Sequence, residues 1–145
     1  MYICENFELQ ELVCPEVYNK YGMQAWSFFD PRILTTMDLL RQKLNRSIII
    51  NTWHAGGDQT QSGLRCNLCS IAKDQTDKGA LYLSAHCRGM AFDFHAEGML
   101  PEETRLWIAA NKIILPYPIR LERAVNWVHI DCASESTEKI TFFNS

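Results

Sequence analysis

The stretch Ser84-Ala85-His86-Cys87-Arg88-Gly89-Met90-Ala91-Phe92-Asp93 organises the reading of this chain. A histidine and a carboxylate flank a glycine at which the chain can turn, and a short strand follows over 90–94. Strand side chains alternate between faces, so Asp93 points away from Phe92 and its apolar neighbours. A second stretch, Trp127-Val128-His129-Ile130-Asp131, alternates in the same way. Trp127, His129 and Asp131 share one face of it, Val128 and Ile130 the other.

Working outward, a hairpin is predicted from strands over 119–121 and 127–132 with a tight turn near 123–126, and 140–143 adds an edge strand. On the N-terminal side, Phe7, Leu9, Leu12 and Val13 suggest a short element packed on the body. A helix starts at Asp30-Pro31, where Asp30 can cap orphan amides and Pro31 suits the first helical position. Ile33, Met37, Leu40 and Leu44 recur on one face of it, and Asn45-Arg46 ends it. The β-branched run over 48–52 reads as a buried strand, and 53–83 as one long irregular segment of functional kind. Pro101 opens a second helix with Glu102 and Glu103 in its first turn and Lys112 in its last, as the macrodipole favours. Its predicted apolar side is Leu106, Ala109, Ala110 and Ile113. Helices and hairpin strands are segregated, which predicts an α+β fold with a small, mostly antiparallel sheet and helices packed on it.

The 145 residues fit one domain, 1–145, and at 47% hydrophobic they can bury a core without disulfides. A net charge of -3 with scattered basic residues offers no footprint for nucleic acid. The strongest apolar run, Ile48-Ile49-Ile50, is far too short for membrane insertion. The start, Met1-Tyr2-Ile3-Cys4-Glu5, has neither a basic region nor a following apolar stretch, so no secretory signal is expected. Of six cysteines only Cys66 and Cys69 have ligand-like spacing, without a second pair to complete a structural zinc site. Reduced thiols are the default, Cys14 reads as core packing, and Cys66 with Cys69 could alternatively form a redox or metal pair.

The chemistry concentrates in His86, Asp93 and His129. Zinc accepts imidazole nitrogen and carboxylate oxygen, and catalytic sites combine three protein ligands with one open position. The spacing alone leaves another reading open, in which the histidines are satisfied core or surface residues and His-x-Asp is a hydrogen-bonded pair.

Ser-x-His-x-x-Gly-x-Ala-x-Asp at 84–93, followed by Trp-x-His-x-Asp at 127–131, resembles the zinc D-Ala-D-Ala carboxypeptidase and murein endopeptidase family. That family includes vancomycin-resistance D,D-dipeptidases and phage L-alanyl-D-glutamate endolysins, and shares its fold with the Hedgehog signalling domain. Ile50-Asn51-Thr52-Trp53 and Ser62-Gly63-Leu64-Arg65 resemble the segments that precede the first zinc histidine in the family. Phe7 and Glu11-Leu12 resemble the start of phage and prophage members, so the resemblance covers most of the chain.

The resemblance implies a Hedgehog/DD-peptidase-like fold and a zinc ion on His86, Asp93 and His129, with zinc-activated water as nucleophile. It implies peptidoglycan stem peptides or cross-links as substrate, cleaved by a carboxypeptidase or an endopeptidase of endolysin type. The expected substrate contacts are Arg65, whose guanidinium can hold a carboxylate bidentately, together with Ser84, Trp127 and His54. Many members carry a carboxylate three residues before the final zinc histidine, where this chain has Asn126. Glu122 is therefore expected to be the catalytic base and Asp131 the runner-up, although Asp131 also suits orienting a ligand imidazole. The chain is expected to act on the cell wall after release from the cytoplasm, or on a virion beside other phage proteins. The alternative function is a non-catalytic zinc-binding structural or wall-binding module of a virion.

Overall fold

The computed structural model describes residues Met1–Ser145. Two short helices, α1 (Leu9–Leu12) and α2 (Pro15–Tyr21), lead through a 3-10 segment (Gly22–Phe28) to the longest helix, α3 (Pro31–Leu44). As the sequence predicts, Asp30 accepts the Arg32 amide at the N-terminus of α3, and Asn45 ends the helix in the left-handed conformation. Ile33, Met37, Leu40 and Leu44 are all buried on its inner face, each contributing about 2 kcal/mol.

The sheet has five strands in the order β1 (Ile48–Ile49), β2 (Ala91–Ala96), β4 (Val128–Asp131), β3 (Ile119–Glu122) and β5 (Ile140–Phe143). All neighbours are antiparallel except β3 and β5, which run parallel. The sheet is therefore mixed, which corrects the expectation of a mostly antiparallel one. The short return over 132–139 passes the end at which β3 begins, where the Ile119 amide bonds the Lys139 carbonyl. A strand entering from that end must run with β3.

One face of the sheet, carrying Phe92, Phe94, Leu121, Val128 and Ile130, joins the buried residues of α3 and Ile108 in a single core. The opposite face carries Asp93, His129 and Asp131. Three further expectations are corrected. The strand expected over 48–52 is reduced to Ile48–Ile49, with Ile49 exposed. The segment 53–83 is not wholly irregular: it contains a 3-10 turn (Trp53–Ala55) and a helix, α4 (Ser70–Asp77). The second predicted helix, α5 (Pro101–Ala110), buries Thr104, Arg105 and Ile108, while Leu106 and Ile113 face solvent. Arg105 turns inward because its guanidinium bonds the Trp127 and Val125 carbonyls, bracing the β3–β4 turn. No helix is long and apolar enough to cross a membrane.

Candidate metal centre

Two glycines let the backbone bring the site together. Gly89 has φ +67°, and a Cβ there would collide with the Phe28 carbonyl; its own carbonyl accepts the Asp30 amide. The His86 turn is thereby fastened to the start of α3. Gly63 packs against Leu12 so closely that a Cβ would strike the Leu12 carbonyl, and its carbonyl lies 2.9 Å from His86 Nδ1. The Ser62 carbonyl accepts the Asp93 amide, which lashes the same loop to β2.

On the sheet, Asp93 and His129 are direct cross-strand partners. Their side chains and that of His86 converge, with one ligand atom from each lying within 4.8 Å of the others. His86 Nε2 is 3.3 Å from Asp93 Oδ2 and His129 Nδ1 is 2.8 Å from Asp93 Oδ1. The outer nitrogen of each imidazole is anchored: His86 Nδ1 on the Gly63 carbonyl and His129 Nε2 on Asp131, 2.9 Å away. Anchoring the outer nitrogen on an acceptor orients the ring so that the inner nitrogen faces the centre, where a metal can take the place of its proton. The donor set, two borderline imidazoles and one hard carboxylate, suits a divalent transition metal with room for a further ligand. These residues therefore fit the metal that the sequence led us to expect.

Asp131 is fully buried and lies behind His129. Its oxygens accept a bidentate pair of bonds from Arg120, at 2.8 and 2.9 Å, as well as the Ala133 amide. Both oxygens are occupied away from the centre, so Asp131 orients His129 and is not free to serve as a base. Burial raises the Asp131 carboxyl, but hydrogen bonds from His129 and Arg120 outweigh it and hold it below its ordinary range. Burial pushes the His129 imidazole down, but Asp131 and Asp93 outweigh that and lift it to about 9. Asp93, despite its burial, is held far below the usual carboxylate range by His129 and His86. Asp131→Asn is expected to weaken metal affinity about 10–100-fold, as measured by competition with a chromophoric chelator.

A cleft of about 370 Å³ opens beside Asp93 and is lined by Arg65, Trp127, Gln61 and His95. Arg65 donates from Nε to the Gln61 carbonyl, from Nη1 to the Tyr82 hydroxyl and from Nη2 to Asp93. A guanidinium has five N–H groups, so one remains on each Nη atom for a ligand carboxylate. The other expected substrate contacts fall elsewhere. The Ser84 hydroxyl contacts Cys87 Sγ and its carbonyl closes the turn onto the Cys87 amide. His54 lies at a different surface hollow, beside Glu8 and Glu11.

Glu122 is 8% exposed and enters none of the chain's ion pairs. Continuing the β3–β4 register one step past Leu121↔Ile130 sets it opposite His129. It does not line the cleft.

Four contributors were missing from the sequence reading. Arg120 clamps Asp131, Tyr82 and Gln61 hold Arg65, and the Phe143 ring packs edge-on to His129 at 5.7 Å. Arg120 was discoverable, since alternation puts it on the face shared by His129 and Asp131. Tyr82, Gln61 and Phe143 come from segments whose approach no local pattern encodes. No protein-family model matches this chain, and no curated protein or solved structure matches it significantly either.

Proposed function

We propose that this chain is a zinc-dependent peptidase that hydrolyses amide bonds in peptidoglycan stem peptides or their cross-links, on a Hedgehog/DD-peptidase-like fold. The observation that carries this reading is the pair of imidazoles with anchored outer nitrogens and inner nitrogens aimed at Asp93. Buried histidines that merely satisfy one another have no need of that shared focus. Zinc held by His86, Asp93 and His129 would supply Lewis-acid polarisation of a carbonyl and lower the pKa of a water nucleophile.

The chain's own residues supply the rest. Arg65 offers its two free N–H groups to a peptide carboxylate at the cleft, and Trp127, 39% exposed, gives the peptide an apolar wall. Glu122 is the base in this reading: it takes a proton from the attacking water and returns it to the leaving amine. Such a peptidase would act on the wall after release from the cytoplasm, or from a virion.

The test is incubation of the zinc-loaded protein with cell walls and mass spectrometry of the released peptides. New amino or carboxyl termini that disappear with a chelator are expected. Glu122→Gln is expected to lower kcat about 10²–10⁴-fold with zinc content unchanged. Stoichiometric zinc without cleavage of any peptidoglycan chemotype would overturn the peptidase reading. That result would favour a non-catalytic zinc-binding virion module, a reading supported by the position of Glu122 outside the cleft lining.

A further inference from the structure

Cys14, at the junction of α1 and α2, meets Cys66 and Cys69, which precede α4, although more than fifty residues separate them in sequence. Cys14 Sγ is 3.6 Å from Cys66 Sγ, and Cys66 Sγ is 3.9 Å from Cys69 Sγ. All three sulfurs lie within 4.8 Å of one another. Three sulfurs on a tetrahedral zinc, each bonded at about 2.3 Å, stand about 3.8 Å apart. We propose that Cys14, Cys66 and Cys69 form a second metal site, a tris-thiolate site for a thiophilic d10 cation, with zinc as its occupant.

One feature beyond the spacing supports this assignment. Cys66 is half-buried and borders a hollow of about 440 Å³, through which a solvent molecule can complete the fourth position. Cys4, Cys87 and Cys132 lie outside the trio.

The role of the site follows from what it would tie together. Beside it, Val13 bridges Leu64, and the Leu64 amide bonds the Leu12 carbonyl. Gly63, which anchors His86, and Arg65, which lines the cleft, belong to the same loop. A metal on the three sulfurs would fasten that loop to the N-terminal helices.

The experiment titrates the fully reduced, metal-free full chain with Co²⁺ and with Cd²⁺, anaerobically. A sulfur-to-metal charge-transfer band is expected in the wild type and in His86→Ala, but not in Cys66→Ser. Zinc X-ray absorption of the wild type is expected to show a sulfur shell at about 2.3 Å, a readout that needs no variant to fold. Absence of the band and of the sulfur shell, with all thiols titrating as reduced, would overturn the site. So would a band that survives in Cys66→Ser.

Discussion

On the proposed function, alanine at His129 is expected to abolish metal binding at the centre shared with His86 and Asp93, and to reduce peptidase activity more than about a thousandfold, or about 4 kcal/mol of transition-state stabilisation. Two ligands from the protein cannot hold zinc at the occupancy that three achieve, and the remaining imidazole and carboxylate lose their shared focus. The loss is separable from unfolding. Asp131 keeps its bidentate Arg120 and the Ala133 amide when His129 is gone, so no unpaired buried charge is created. Metal analysis of the purified variant, beside far-ultraviolet circular dichroism, checks both parts. Retention of wild-type zinc content in the presence of intact Cys14, Cys66 and Cys69 would contradict the assignment only if the sulfur site were also empty. The decisive comparison is therefore made in a Cys66→Ser background.

The second large effect lies outside the candidate metal centre. Asp38 is 4% exposed on the inner half of α3 and accepts hydrogen bonds from the Tyr2 hydroxyl, the Glu5 and Asn6 amides and the Asn6 side chain. These contacts pin the N-terminal segment, including buried Cys4 and Phe7, against the helix. Asp38→Ala leaves four donors without their acceptor and is expected to cost about 3 kcal/mol. For a chain of this size that corresponds to a fall in Tm of about 10 °C, measurable by calorimetry. Asp38→Asn keeps one acceptor oxygen and is expected to cost less. An unchanged Tm in Asp38→Ala would show that the N-terminal segment contributes nothing to the cooperative unit.

Periodicity made α3, β2 and the β3–β4 hairpin legible, because each couples a local apolar repeat to burial on one face. The cap at Asp30 and the stop at Asn45 were legible for the same reason: they act within one turn of the helix. α4 was not. Only Ala72 is buried in it, so its sequence has no apolar stripe to betray it, and its first turn is held by Gln61 from another segment. The buried side of α5 was misread because Arg105 looks like a surface residue until carbonyls of a distant turn are seen to satisfy it.

The same division runs through the candidate site. The sequence by itself determined which side chains could meet at a metal, since strand alternation puts Asp93 and His129 on the polar faces of their strands, and Gly89 supplies the turn that returns His86 to them. Only the tertiary structure decided that the outer nitrogen of His86 bonds the Gly63 carbonyl and that Arg120 clamps the Asp131 behind His129, because Gly63 and Arg120 arrive from other segments. It also set Cys14, buried in the core as expected, against Cys66 and Cys69. Those outcomes depend on pairings between distant segments, and the free energy of such pairings comes from packing that no single stretch of chain contains.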